Sequence, residues 1–386
     1  MRQKIGRDRK IIYLAGFLFA FPLALTSYIS SSFLSGYINE SYVGIIYIVA
    51  SVITIWGMAE MPKVLTRWGD RKTTLYFSIL TLVALLVLAF GNKSFLIIGA
   101  FILFFIASTI VGTTLDIFLE DFSTETLVGR FRGFYISVIY VAWVISEMIS
   151  GSVIDKSSLR GIYLLSALFM LLIIVVFTLF LSDYKDPKYE KEPVSKTIQY
   201  FLKNKHASRI YFVNFILQFF YAWMIIYMPI YLHQHIGFAW DKIGLIFMIM
   251  LLPFVLLSYP LGKLSDKIGE KKMLIFGFVI ITFFTSLIPL IDGQIFLLWA
   301  GVLFATRIGA ATIGVMSDSY FFKVVTKENA EATSFYRNTY PLSYIIGPAI
   351  AIPTLLLVSS FEYLFFVLVG VLLLGLFVSL RLKDVR

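Results

Sequence analysis

Twelve times along the chain an apolar block of roughly twenty residues gives way to a short polar break, and this alternation constrains the fold more than any motif. A helix rises about 1.5 Å per residue, so roughly twenty apolar residues span the ~30 Å hydrocarbon layer of a bilayer. Lipid offers backbone N–H and C=O groups no partner, so each block must bond within itself as a helix. The blocks fall near 11–34, 42–61, 73–90, 94–118, 131–152, 161–182, 208–232, 243–261, 273–289, 295–318, 332–355 and 361–380, and are called spans 1 to 12. Only 15% of the 386 residues are charged and 59% are apolar, which leaves too little polar surface for a soluble chain of this length.

The net charge of +10 would suit nucleic acid if it were gathered on a soluble face. Instead it lies in alternate loops. With the N-terminus placed in the cytoplasm, 28 of the 33 Lys and Arg fall in cytoplasmic segments, four in outer segments, and Arg307 inside a span. Basic residues near helix ends resist translocation, so both termini are expected in the cytoplasm, in a cell (inner or plasma) membrane, with no nucleic-acid partner. Arg2, Lys4, Arg7, Arg9 and Lys10 precede the first block as in a signal peptide, but no clear small-residue cleavage site follows, so it is read as span 1.

The longest polar stretch carries mixed charge with Pro187 and Pro193, which marks a linker between two groups of six spans. The expected division is 1–182, a linker 183–207, and 208–386. The halves echo one another. Pro62-Lys63-Val64-Leu65-Thr66-Arg67-Trp68-Gly69-Asp70-Arg71-Lys72 follows span 2, and Gly262-Lys263-Leu264-Ser265-Asp266-Lys267-Ile268-Gly269-Glu270-Lys271-Lys272 follows span 8, at an offset of 200. Phe134-Tyr135 and Phe335-Tyr336 open spans 5 and 11 at an offset of 201.

At these residues the chain resembles the major facilitator superfamily, whose loop after span 2 carries Gly-x-x-x-Asp-Arg/Lys-x-Gly-Arg-Arg/Lys, often repeated after span 8. The second copy matches through Gly262, Asp266, Lys267, Gly269, Lys271 and Lys272, with Glu270 where the family has a base. The first has Pro62 for Gly, Thr66 for Asp and Asp70 for a base. The resemblance implies an all-α membrane protein with twelve transmembrane helices in two pseudo-symmetric six-helix bundles. It also implies alternating-access transport of a small solute, with the site formed by spans 1, 4, 7 and 10. By family symmetry Asp266 would face the start of span 5, where Arg130 and Arg132 lie; with Gly262, Lys267, Gly269, Arg67 and Arg71 this forms the expected cytoplasmic gate. The alternative is that these charges only orient the protein and solvate its loops. The family's exporters carry a small-residue stripe in span 5; here it reads Ala142, Ser146, Glu147, Ser150 and Gly151, and span 11 offers Ser343, Gly347, Pro348 and Ala351. Simple helix packing explains such stripes equally well.

Ionisable groups inside spans cost roughly 2.5–3.5 kcal/mol each on insertion scales, so they are functional candidates. Arg307 sits near the middle of span 10, as an anchor for an anionic group, a partner of a coupling carboxylate, or a structural ion pair. Glu147 in span 5 reads either as a proton carrier or as a carboxylate that stays ionised in an outer vestibule. Glu60, Asp116 and Asp318 lie near cytoplasmic helix ends, as gate or anchoring charges or, for the two aspartates, as proton-coupling groups. Asn214, Gln218 and Tyr221 recur on one face of span 7, where they face either solute or a neighbouring helix. Thr109 and Thr113 in span 4 and Tyr28 in span 1 are weaker candidates of the same kind. Trp223 and Tyr227 line a cavity or belong to an interfacial aromatic belt.

There is no cysteine, no phosphate-binding loop and no nucleophile turn, so neither enzyme activity, metal site nor cofactor is expected. The reading is a monomeric, proton-coupled secondary transporter of a small organic solute, with export of an amphipathic compound slightly preferred. Uptake of a sugar or organic anion is the first alternative, and a non-transporting membrane receptor or scaffold the second.

Overall fold

The computed structural model describes residues 2–121, 128–180, 199, 201, 203–324 and 335–383, without the side chains of 2–10, 62, 119–121, 128–134, 136, 137, 259, 265 and 266. The expected linker therefore falls mostly outside the described residues. Every regular element among them is helical. The chain separates into two compact units, Met1–Lys191 and Glu192–Arg386.

In the first unit α1 (Arg2–Ser27) and the short α2 (Ser30–Ser35) make span 1. α3 (Val43–Phe90) carries spans 2 and 3, α4 (Ser94–Asp121) span 4, and α5 (Val128–Phe180) spans 5 and 6. α1 packs along α5, and α3 packs on both α4 and α5. In the second unit α6 (Lys205–Ile230), α7 (Trp240–Ile268), α8 (Glu270–Leu287), α9 (Phe296–Val324), α10 (Thr339–Leu357) and α11 (Tyr363–Leu380) are spans 7 to 12. α6 touches α9, α10 and α11, while α9 lies on α7 and α8.

Ten helical stretches among the described residues are long and apolar enough to cross a membrane. One of them, Val138–Phe180, has 43 residues, twice what one crossing needs, and it folds back at Ser158. Ile11–Ser27, continued by α2, supplies the first crossing. The twelve crossings thus form two bundles of six.

Two expected boundaries move for identifiable reasons. α6 begins at Lys205, inside the expected linker, because the Asn204 side chain caps it, accepting from the amides of His206 and Ala207 at 3.0 and 3.1 Å. Span 1, expected unbroken from 11 to 34, breaks at Tyr28 and Ile29. Pro22 lies six residues upstream of the break. The Thr26, Ser27 and Ser30 hydroxyls bond back to the carbonyls of Pro22, Leu23 and Thr26 at 2.7, 2.6 and 2.7 Å, which competes with the backbone ladder.

The repeat read in the sequence recurs in the backbone. Gly69 between spans 2 and 3 has φ 75°, and Gly269 between spans 8 and 9 has φ 93°, a region open to glycine and costly for other residues. The next residue is a buried carboxylate in both units, Asp70 at 0% exposure and Glu270 at 2%. Glu270 accepts from Lys323 and from Ser319 Oγ, the latter at 3.1 Å, tying the start of α8 to the end of α9.

Candidate functional site

In the second unit Arg307 carries a charge deep inside the bundle. This residue is the twelfth of α9, close to the helix middle, and is completely buried. Its guanidinium carbon lies 4.9 Å from the centre of the Phe220 ring and 5.5 Å from that of Tyr221, both on α6. A planar cation over aromatic faces is attracted by their quadrupoles, and more strongly where water is excluded. Tyr221 in turn meets Phe254 of α7 edge to face, with ring centres 6.1 Å apart.

The position of α9 is set by glycine. A Cβ on Gly309 would lie 2.6 Å from the Gly277 carbonyl oxygen, and one on Gly277 would lie 2.8 Å from Ile313 Cγ1. α8 and α9 therefore meet backbone to backbone, two residues from Arg307.

The sequence-predicted face of α6 is present. Asn214 is buried and donates through Nδ2 to Thr339 Oγ1 of α10 at 2.7 Å, while Gln218 and Tyr221, one and two turns further, are half-buried. The structure thus brings Tyr221 to Arg307 and ties Asn214 to another helix. Trp223 and Tyr227 are interior, each with 0% exposure, in an aromatic run from Phe219 through Trp223 and Tyr227 to Phe361. Trp223 Nε1 and the Tyr227 hydroxyl meet no hydrogen-bond partner among the described residues. An aromatic belt facing the membrane interface does not describe them.

In the first unit Glu147 is 2% exposed, so its carboxyl does not open on a solvated vestibule. Its Oε1 reaches no donor among the described residues. Ala142, Ser146 and Ser150 are buried on the same helix, the two serines bonding to the carbonyls of Ala142 and Glu147 at 2.8 and 2.9 Å. The Tyr28 ring stands edge-on to Trp143, one turn before Glu147, at 6.4 Å between centres. Thr109 and Thr113 direct their hydroxyls to the carbonyls of Phe105 and Thr109 on α4, at 2.7 and 3.0 Å.

At the helix ends assigned to the cytoplasm, Arg67 and Lys267 are exposed, Arg71, Gly262 and Gly269 half-buried, Asp116 exposed and Asp318 half-buried. The side chains of Asp266, Arg130 and Arg132 lie outside the described residues. Sequence reasoning missed Phe220, Phe254 and Thr339, which nothing marks among 38 phenylalanines and many threonines. It also treated Asp70 and Glu270 only as departures from a motif, although two carboxylates following glycines 200 residues apart were a signal.

A family model described as Major Facilitator Superfamily matches residues 12–251 and, a second time, 210–386. Two crystal structures of the nucleoside transporter NupG, one of a point mutant, superpose with TM-scores of 0.78 and 0.77 at 12% identity. Each alignment covers 97% of this chain, and 99% and 98% of the NupG chains. No curated protein matches the sequence. At such low identity the structural likeness shows the fold alone; it agrees with the doubled six-helix topology and with the family model over both halves. The chain is an integral membrane protein belonging to the Major Facilitator Superfamily of transporters.

Proposed function

We propose that the chain moves a small amphipathic organic solute by alternating access, driven by protons and outward in direction. The observation that carries this reading is the buried guanidinium of Arg307, held mid-helix over the Phe220 and Tyr221 rings. A charge at that depth is expensive to insert and is kept where it serves a ligand or a transport step. With the Gln218 amide on the neighbouring face, it suits a solute with a flat apolar body and a polar or anionic end. Asn214, Thr109, Thr113 and Tyr28 are the remaining candidate contacts.

Glu147 is the candidate proton carrier, since a carboxyl held away from water exchanges charge only by exchanging a proton; Asp116 and Asp318 are candidates nearer the helix ends. Asp266 and Lys267, the turn glycines Gly262 and Gly269, and the bases Arg67, Arg71, Arg130 and Arg132 serve as the cytoplasmic gate. Uptake of a sugar or organic anion is a second reading supported by the same Arg307.

The test is a thermal-shift screen of purified protein against amphipathic compounds, carboxylates, sugars and nucleosides, followed by flux of any hit in proteoliposomes under a proton gradient. A solute that stabilises wild type but not Arg307→Lys, and moves with the gradient, supports the reading. Absence of both stabilisation and flux favours a receptor or scaffold. Undiminished proton-driven flux in Glu147→Gln removes the coupling role, and undiminished flux in a normally inserted Asp266→Asn removes the gate.

A further inference from the structure

A glycine seats α11 between α6 and α8. A Cβ on Gly375 would lie 2.3 Å from the Phe278 ring of α8 and 3.0 Å from Ile216 Cγ2 of α6. Seven residues before Ile216 and six after Gly375 the same two chains meet again, where Arg209 donates through Nη1 to the Arg381 carbonyl oxygen. The two contacts make α6 and α11 antiparallel neighbours, with the start of one beside the end of the other. Two residues further on, the Lys383 carbonyl accepts from the Tyr320 hydroxyl of α9 at 2.9 Å, and that hydroxyl lies 2.9 Å from His206 Nδ1 in the first turn of α6. Leu382, between the two held carbonyls, is buried. The segment 381–383 is thus pinned to the start of α6, and its bases come with it.

The Arg381 side chain turns back along its own helix. Its guanidinium carbon lies 4.1 Å from the centre of the Phe377 ring, one turn earlier. Phe377 is 50% exposed and shares a face with exposed Leu373 and Leu380, while Leu372 and Ser379 are buried against the bundle. On a helix that crosses a bilayer, an exposed apolar face meets lipid. Arg381 therefore lays its charge on the lipid-facing surface, one turn inside the helix end.

Neither the Arg381 nor the Arg209 guanidinium has a carboxylate within ion-pair distance among the described residues. Glu270, the buried carboxylate at the start of α8, is engaged by Lys323. Asp384, the next acid along the chain, lies outside the described residues. Like charges on touching residues repel, and an anion between them reverses the sign of that interaction.

From this we propose that Arg381 and Arg209 bind the phosphate of an anionic phospholipid at the ends of spans 7 and 12 assigned to the cytoplasm. The guanidinium fork matches phosphate oxygens, and bases next to a spanning helix attract anionic headgroups. Phe377 offers the acyl chain a flat apolar surface beneath the headgroup. The occupant is a lipid because one of the two charges rests on the membrane-facing ring. A simpler role for Arg209, capping the last carbonyls of α11, needs no headgroup. The site is separate from the solute and proton roles proposed above and stands independently of them.

The test is thermal unfolding of the purified full-length protein in a non-ionic detergent, titrated with phosphatidylglycerol, with phosphatidylcholine of the same acyl chains, or with inorganic phosphate. A saturable stabilisation by phosphatidylglycerol, absent with the other two and weakened by added salt, is expected. Its half-saturating concentration should rise about fivefold in Arg381→Gln and in Arg209→Gln. It should stay unchanged in Lys72→Gln, an exposed base of the other unit assigned to the same membrane face. Equal stabilisation by the two lipids overturns the proposal. An equal response to inorganic phosphate overturns the lipid as occupant and leaves a free-anion site only. A lower unfolding temperature in Arg209→Gln with unchanged lipid dependence reduces Arg209 to a cap and overturns its part in the site. Should Arg209→Gln fail to fold, Arg381→Gln decides, because its guanidinium rests on an exposed ring and not in the core.

Discussion

Gly309 of α9 rests against Gly277 of α8 so closely that a side-chain carbon on Gly309 would lie 2.6 Å from the Gly277 carbonyl oxygen. This contact fixes the height of Arg307, two residues earlier, against Phe220 and Tyr221. Gly309→Ala should therefore cost about 1–3 kcal/mol, the usual range for overpacking a close contact. Thermal unfolding of the purified variant checks this. Solute flux per folded molecule should also fall, because the backbone shift carries Arg307 with it.

Arg307→Lys preserves the charge and loses the plane. A lysine ammonium does not stack on Phe220 and Tyr221 as guanidinium does, nor does it present a fork of donors. Solute affinity should drop by about tenfold or more, a difference of about 1.4 kcal/mol, with insertion unchanged. Binding titration with the solute found in the screen reads this out; equal affinity would show that Arg307 serves structure alone.

Lys323→Met removes the cation that neutralises Glu270 at the start of α8. Glu270 is 3% exposed in its side chain, whereas Lys323 is 43% exposed, so the loss falls on the buried partner. Leaving the carboxylate with only the Ser319 hydroxyl and a backbone amide should cost about 1.5–3 kcal/mol. Adding Glu270→Gln should recover part of that stability, a non-additivity measured by a double-mutant cycle on unfolding midpoints.

Ser158→Gly should stabilise. Ser158 turns the chain between spans 5 and 6 at φ 67° and ψ 177°, a region nearly reserved for glycine and costing a side-chain-bearing residue about 1–3 kcal/mol. A higher unfolding temperature with unchanged flux is the expected result. A lower one would show that the serine hydroxyl contributes more than the strain removes.

Much of the fold was legible because a bilayer sets the length of whatever crosses it. The blocks named twelve crossings, and the offset of 200 between Gly69 and Gly269 announced two related bundles before any coordinate was known. The break of span 1 was less legible, since Thr26, Ser27 and Ser30 read as ordinary polar residues until their hydroxyls are seen on the preceding carbonyls. The candidate site was legible in part. A lone arginine in a block of apolar residues identifies itself by its cost, whereas Phe220 and Thr339 are ordinary residues whose contacts depend on which helices pack together.

By itself the sequence determined the solvent of this protein, the number of its helices, their duplication and the few charges they carry inward, since each follows from hydrophobic length and from the cost of a charge in hydrocarbon. Only the tertiary structure decided what each of those charges meets. Arg307 has its aromatic neighbours because Gly277 and Gly309 let α8 and α9 touch. Trp143, one turn before Glu147, meets Tyr28 because α1 and α5 pack side by side. Such meetings join residues more than a hundred positions apart or lying on different helices, and local periodicity contains no record of them.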